Sequence, residues 1–201
     1  LLWWLASILS VSGWSVVDVL IFVCFAVAAP WSVLGVWNAV VGLLLLRFHP
    51  DPMEAVAPFA RAADAPTPIR VSTAVFMTLR NEDPARAFAR MKTVKDSIDA
   101  TGEVQHFSWY ILSDTNDPDV AAREEMFFAR WKEAAGADAA RLVYRRRTSN
   151  EGYKAGNVRD FCNRWGAQHE FMLPLDADSL MDGRTILRMV RIGQAWPKLG
   201  K

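Results

Sequence analysis

The chain has 201 residues, of which 52% are hydrophobic and 22% are charged, and its formal net charge is +1. This length accommodates one ordinary domain and an appendage, and the near-neutral charge provides no overall positive field, so we expect no nucleic-acid partner. The charge is unevenly distributed, because most of residues 1–46 are apolar and nearly all charged side chains come after them.

The N-terminal region, residues 1–48, is predicted to hold transmembrane segments. Residues 1–9 are apolar and are interpreted as the tail of a membrane helix whose start is missing; a signal peptide is the alternative, but its basic leader and small-residue cleavage pattern are absent. Residues 19–46 contain no charged side chain, and such a run can cross a hydrocarbon core of ~30 Å with some tilt. Arg47 follows directly, which favours a cytoplasmic location for the residues after it. Residues 49–68, rich in Ala and Pro, are predicted to be a linker near the membrane surface.

The remaining residues, 69–201, alternate between strand-like and helix-like patterns. Pro84 and Pro118 stand where a first helical turn tolerates proline. Each apolar run is followed by a segment with helical spacing of its apolar side chains. This alternation predicts an α/β fold with a parallel sheet and right-handed crossovers. The predicted strands are residues 69–79, 106–112, 141–144 and 169–175.

Two carboxylates, Asp176 and Asp178, follow the apolar residues 171–175, which are predicted to form a buried strand. Their spacing sends both side chains to the same side of a strand, and the carboxyl ends of strands are where open α/β sheets bind ligands. Two hard oxygen ligands suit Mg²⁺ or Mn²⁺, particularly when phosphates complete the shell. The alternative is a surface turn in which Asp178 or Asp182 caps the next helix.

Further polar side chains are predicted to converge on the same edge of the sheet. Glu82 and Asp114 follow the first and second strands, and Lys154 lies in the loop after the third. Asp114 is a candidate to accept hydrogen bonds from a base or a ribose. Lys154 is a candidate for a phosphate contact, with Gly156 permitting close approach of the backbone. Each has a plain alternative (a turn residue, a solvated lysine and a helix-entry glycine), and their convergence favours the ligand-binding interpretation.

The basic run Arg145 to Arg147 leaves two interpretations open. It attracts an anionic nucleotide or lipid headgroups at a nearby membrane surface, or it forms a charged loop that simply stays in water.

Several stretches resemble the glucans biosynthesis glucosyltransferase H family: TAVFMTLRNED (73–83), HFSWYILSDTNDPD (106–119), YRRR (144–147), KAGNVRDFCNRWG (154–166) and LDADSLMDG (175–183). The resemblance covers residues 69–201, and the membrane segments in arrangement only. It implies the N-terminal half of a GT-A fold, a Rossmann-like and mostly parallel sheet, preceded by transmembrane helices. It also implies a multi-pass protein of the bacterial inner membrane with a cytoplasmic catalytic domain. Such an enzyme is a processive inverting family 2 transferase that builds the β-linked backbone of osmoregulated periplasmic glucans from UDP-glucose.

The same resemblance implies roles for individual residues. Asp114 would contact the uridine and Glu82 would line the uracil pocket, while Lys154 would lie near the nucleotide. Asp176 and Asp178 would bind UDP together with Mg²⁺ or Mn²⁺. The catalytic base and the acceptor motif are expected downstream, so the chain is interpreted as the donor-binding half of the domain, able to bind a UDP-sugar without turning it over.

Other functions stay open on the sequence. One is a different membrane-bound family 2 transferase, such as a cellulose-synthase-like protein or a polyprenyl-phosphate sugar transferase. Another is a non-catalytic, membrane-anchored nucleotide-binding module, which the missing base would permit. The expected partners under the main hypothesis are UDP-glucose, a growing β-glucan acceptor and membrane lipid.

Overall fold

The structure, a computed structural model, describes residues 1–65 and 67–198. The chain divides into two compact units, and the division lies between Pro58 and Phe59. This boundary falls inside the segment predicted to be a linker. The first unit contains the apolar helices and the second contains the sheet.

The first unit is almost entirely helical. Helix α1 spans Leu2–Leu9, helix α2 spans Val16–Phe48, and the short helix α3 spans Pro52–Val56. Helix α2 starts with a capping box, in which Ser15 Oγ accepts from the Asp18 N–H at 3.2 Å and the Asp18 carboxylate accepts from the Ser15 N–H at 2.9 Å. Within the described ranges, α2 is the one helix long and apolar enough to cross a membrane.

The second unit is built on a four-stranded parallel sheet with the spatial order β3-β2-β1-β4. The strands are β1 (Thr73–Leu79), β2 (Phe107–Ser113), β3 (Leu142–Arg146) and β4 (Phe171–Asp176). The helices between and after them are α4 (Pro84–Asp99), α5 (Pro118–Ala134), α6 (Tyr153–Trp165) and α7 (Gly183–Ala195). The predicted α/β, Rossmann-like class with a parallel sheet is confirmed.

The two faces of the sheet pack against different helices. Val75 and Met77 of β1 belong to a core shared with α4, α5 and α7. Ala74 and Phe76 of the same strand belong to a second core, shared with α6. Because helices cover both faces, β1 is apolar at almost every position instead of alternating between apolar and polar residues.

Strand β4 differs from the prediction of a buried strand. Leu175 is its one buried residue, whereas Met172 is 50% exposed and Pro174 is also exposed. β4 pairs with β1 on one side, and the described residues contribute no strand to its other side. An apolar strand at the edge of a sheet keeps much of its side-chain surface in contact with solvent, which is why its composition misled the sequence analysis.

Residues at the end of the predicted linker and at its junction with the sheet, Asp64, Pro68 and Arg70, are attached to helix α7. Arg188 pairs with Asp64 at 3.1 Å. Further along the same helix, Gln194 Nε2 donates to the carbonyl of Pro68 at 3.1 Å. These contacts make the chain on the N-terminal side of the sheet part of the α/β unit.

Helices α4 and α7 approach each other closely at Gly183. A Cβ atom at this position would lie 2.4 Å from the carbonyl oxygen of Ser97 and 2.7 Å from the nitrogen of Ile98. The Gly183 N–H donates to Ser97 Oγ at 2.8 Å. Glycine therefore allows α7 to begin directly against α4, a few residues after Asp176 and Asp178.

We expect Gly183→Ala to lower the free energy of unfolding by about 1–3 kcal/mol, because the added methyl group meets backbone atoms that cannot rotate away. Gly166→Ala is the matched control: its Cβ would lie 3.6 Å from the Cys162 side chain, an ordinary van der Waals distance, and should change stability little. Thermal unfolding of both variants in detergent, followed by circular dichroism, measures the difference. Equal stabilities would contradict the close packing of α4 and α7.

Candidate functional site

A cavity of about 690 Å³ opens at the carboxyl edge of the sheet. It lies where strand order reverses, since the chain leaves β1 towards β2 and returns after β3 to the other side of β1. Open α/β sheets bind ligands at such a switch point. The cavity is lined by all five residues proposed from the sequence, Glu82, Asp114, Lys154, Asp176 and Asp178. Their assigned roles stay predictions, but the structure does bring them together.

The two carboxylates of the Asp-x-Asp stretch are accessible to solvent. Asp176 is the last residue of β4, and the Ser179 N–H closes a turn on its carbonyl at 2.9 Å. The carboxylate of Asp176 accepts a hydrogen bond from the ammonium group of Lys154. Asp178 is also exposed and lines the same cavity. Within the described ranges no group of three or more His, Cys, Asp or Glu side chains is arranged to hold a metal ion, so these two carboxylates would have to share a cation with other ligands.

Lys154 is positioned by the unusual start of helix α6. Gly152 and Tyr153 both have positive φ angles, of 69° and 50°, so the chain makes a tight left-handed entry into the helix. A Cβ on Gly156 would lie 1.9 Å from the carbonyl oxygen of Glu151. The space beside Gly156 is therefore filled by this turn, which gives glycine a structural role in the entry to the helix.

Asp114 is buried and forms an ion pair with Arg147. Both contacts, Nε to Oδ1 and Nη2 to Oδ2, are 2.6 Å long, and the two side chains are 4% and 11% exposed. The hydrogen bond to Asp114 raises the pKa of the Arg147 guanidinium above its ordinary value. Arg147 also donates to the carbonyls of Glu151 and Tyr153, at 3.1 and 3.0 Å. The pair therefore joins the end of β2 to the turn that carries Lys154.

The run of three arginines is not the charged loop staying in water that the sequence left open, and its attraction for a nucleotide or lipid headgroups stays a prediction. Arg145 is 8% exposed and donates to the side chain of Asn157 at 2.7 Å; burial lowers the pKa of its guanidinium. Arg147 is largely buried beside Asp114, with 11% of its side chain exposed. Only Arg146 points outward, 3.8 Å from Glu125. Two of the three arginines therefore join this part of the chain to α6 and to the end of β2, and the sequence offered no signal for this because their partners are distant along the chain.

The loops after β1 and β2 are joined by side chains that the sequence analysis did not select. Asn81 adopts a left-handed backbone conformation, with φ 61°, and its side chain accepts from the N–H groups of Asn116 and Asp117 at 3.2 Å. Its own N–H donates to Thr115 Oγ1 at 3.0 Å. Thr115 in turn donates to the fully buried Glu124 at 2.6 Å. This network fixes the part of the cavity that contains Glu82.

Two arginines of helix α4 also line the cavity and were missed. Arg86 is exposed to the cavity, and Arg90, one turn later, donates from Nη1 to the carbonyl of Ala177 at 3.0 Å. Their four-residue spacing on a helix that begins at the carboxyl edge of the sheet was the available signal. With Lys154 they add positive charge to the cavity that Asp176 and Asp178 line.

No protein-family model matches the chain. Among curated proteins, it is 36% identical over 200 residues to glucans biosynthesis glucosyltransferase H of Ralstonia nicotianae, an alignment that covers 98% of the chain and 23% of that protein. It is 34% identical over 221 residues to the protein of the same name from Dickeya dadantii, covering 98% of the chain and 26% of the relative. It is 36% identical over 196 residues to the protein of the same name from Shewanella oneidensis, and this alignment covers 98% of the chain and 26% of the relative. The chain thus spans about a quarter of the length of the curated relatives it matches.

We expect Arg147→Ala and Asp114→Ala each to lower the free energy of unfolding by about 3–5 kcal/mol, because each leaves a buried charge without its partner. The double variant should lose much less than the sum of the two, which is the sign of a direct interaction. Arg146→Ala, one residue away and partly exposed, is the control and should stay within about 0.5 kcal/mol. Denaturant unfolding in detergent measures all four variants. A loss in Arg147→Ala no larger than in the control would contradict the role of the pair.

Proposed function

Because the chain is homologous along 98% of its length to proteins named glucans biosynthesis glucosyltransferase H, we propose that it is the donor-binding part of a membrane-bound glucosyltransferase that synthesises a glucan. The proposed donor is UDP-glucose and the proposed acceptor is a growing β-linked glucan. We propose that the whole catalytic domain has a GT-A fold and belongs to glycosyltransferase family 2. The proposed transfer inverts the configuration at the anomeric carbon. The proposal assigns no catalytic base to this chain; the relatives are about four times as long.

One observation carries this proposal. Side chains from four separate segments line a single cavity at the switch point of a parallel sheet. One end of the cavity holds the buried Asp114, and the other holds exposed carboxylates and a lysine. A nucleotide-sugar has the same division, with a base that is read by fixed hydrogen-bonding groups and a diphosphate that needs positive charge.

The residues present fit a divalent cation that is shared with a substrate. Asp176 and Asp178 provide accessible carboxylate oxygens on one short loop, and the described residues offer no third acidic or histidine ligand nearby. Mg²⁺ and Mn²⁺ accept such incomplete protein shells, because water and phosphate oxygens supply the other ligands. When bound there, the cation would offset negative charge on the UDP leaving group.

Lys154 would change partners when a nucleotide-sugar binds. Its ammonium group now donates to Asp176, and the two side chains are 57% and 60% exposed. An exposed ion pair contributes about 0–1 kcal/mol, so exchanging it for a phosphate contact costs little. Lys154 would then hold the diphosphate, and Asp176 would be free to act as a metal ligand.

Asp114 would read the uracil or the ribose from a fixed position. Both of its oxygens accept from Arg147, but each carboxylate oxygen has a second acceptor site. Arg147 thus orients the carboxylate, and Asp114 lines the cavity. Glu82, exposed on the neighbouring loop, would contact the same end of the nucleotide.

Helix α2 supports a membrane location for the proposed enzyme. It is long and apolar enough to cross a bilayer, and Arg47 lies in its last turn. We propose that the protein lies in the bacterial inner membrane, with the sheet-containing unit in the cytoplasm, where nucleotide-sugars are made.

We expect the chain, reconstituted in lipid nanodiscs, to bind UDP and UDP-glucose about tenfold to a hundredfold more tightly with Mn²⁺ than with a chelator, as one or two charge-assisted contacts would give. Asp176→Asn and Asp178→Asn should remove this metal-dependent gain. Asp119→Asn, an exposed aspartate in the first turn of α5, should leave it unchanged. Isothermal titration calorimetry measures each affinity. No binding of UDP to the unaltered chain, with or without metal, would contradict the proposed function.

We expect the proposed topology to appear in cysteine labelling of intact cells. In a background where Cys24 and Cys162 are replaced by serine, Ser12→Cys should react with a membrane-impermeant maleimide added from outside. Ala137→Cys, exposed on the sheet-containing unit, should react only after the membrane is permeabilised. Labelling of Ala137→Cys in intact cells would contradict a cytoplasmic α/β unit.

A further inference from the structure

We propose that Arg90 is a positioning residue for the Asp-x-Asp loop, a role that rests on the proposed function of Asp176 and Asp178. Arg90 Nη1 donates to the carbonyl oxygen of Ala177 at 3.0 Å, and Ala177 is the residue between the two carboxylates. The two residues are 87 positions apart in the sequence. The guanidinium thus holds the loop through its backbone and not through either acidic side chain.

A second attachment of the same loop lies on the same face of helix α4. Ser97 Oγ donates to the carboxylate of Asp182 at 3.0 Å and accepts from the Gly183 N–H at 2.8 Å. Arg90 and Ser97 are seven residues apart, which is close to two helical turns, so both project from one side of α4. The loop between β4 and α7 is therefore fastened near its start and at its end to a single helix.

Other contacts of this loop leave its carboxylates accessible. The side chains of Ala177 and Met181 pack against the core, and the Ser179 N–H donates to the Asp176 carbonyl at 2.9 Å. The carboxylates of Asp176 and Asp178 are exposed, and that of Asp176 accepts from Lys154. Metal ligands that are not held in place must be ordered when a cation binds, and that ordering weakens binding. Groups that orient metal ligands from outside the coordination shell typically contribute 10–100-fold to metal affinity. The Arg90 contact would supply this order before any ligand arrives.

Arg90 also lines the cavity, so a direct contact with phosphate is the competing explanation. The two roles predict different results. A phosphate contact acts on every nucleotide complex, with or without metal. A positioning role acts on the metal-dependent part of the affinity alone, because the bond from Arg90 reaches the Ala177 carbonyl and orders only the metal ligands.

The test measures UDP affinity by isothermal titration calorimetry on the full chain in nanodiscs, with Mn²⁺ and with a chelator, for Arg90→Met and Arg90→Lys. We expect Arg90→Met to reduce the gain from Mn²⁺ by about tenfold and to leave the affinity in chelator within about twofold. Arg90→Lys keeps a charged donor and should restore part of the gain. Lys92→Met, on the exposed side of α4 where Lys92 pairs with Asp96 at 2.6 Å, is the control for general effects of changing this helix.

Each outcome is decisive. A full gain from Mn²⁺ in Arg90→Met, or an equal loss with and without metal, would overturn the positioning role while leaving the proposed function intact. If Arg90→Met is too unstable to assay, Arg90→Lys decides: an equal loss with and without metal overturns the role, and a loss confined to the gain from Mn²⁺ supports it. No gain from Mn²⁺ in the unaltered chain would overturn the proposed metal site, and the role of Arg90 with it. Selective loss of the gain in Arg90→Met, with partial recovery in Arg90→Lys, supports the role.

Discussion

The buried ion pair between Asp114 and Arg147 is the interaction on which the carboxyl edge of the sheet depends. Removing two charges from water is costly, and their attraction offsets this cost only when the geometry is good and the remaining donors are also satisfied. Both conditions hold, since the contacts are 2.6 Å long and Arg147 also donates to the carbonyls of Glu151 and Tyr153. The pair thereby fixes the turn from which α6 starts, and with it the position of Lys154.

The cavity combines fixed groups with groups that are free to change partners. Asp114 is almost completely buried, whereas the side chains of Lys154 and Asp176 are more than half exposed. This division suits a ligand whose one end is recognised by shape and hydrogen bonds and whose other end carries charge. Helix α7 connects the exposed end of the cavity to the rest of the unit, because it begins directly after the acidic loop and contacts Asp64 and Pro68 ahead of the sheet.

The sequence by itself determined the order and type of the elements. Apolar runs of strand length alternate with segments of helical spacing, and Pro84 and Pro118 mark two helix starts, which are the first residues of α4 and α5. These signals depend only on residues close together in the sequence, so they can be recognised without knowledge of the fold. The convergence of Glu82, Asp114 and the Asp-x-Asp stretch on one cavity could also be predicted from the sequence, because parallel strands bring their carboxyl ends to the same edge of the sheet.

Only the tertiary structure decided which charged residues are buried and which loops are held. Arg147 and its partner Asp114 are 33 residues apart, and Arg90 reaches a carbonyl 87 residues away. The apolar strand β4 lies at an edge of the sheet with Met172 half exposed. Periodicity and composition reflect interactions among residues that are close together in the sequence. The burial of a charge depends on partners brought from distant segments, and the exposure of a strand depends on its place in the sheet, so neither could be read from the local pattern.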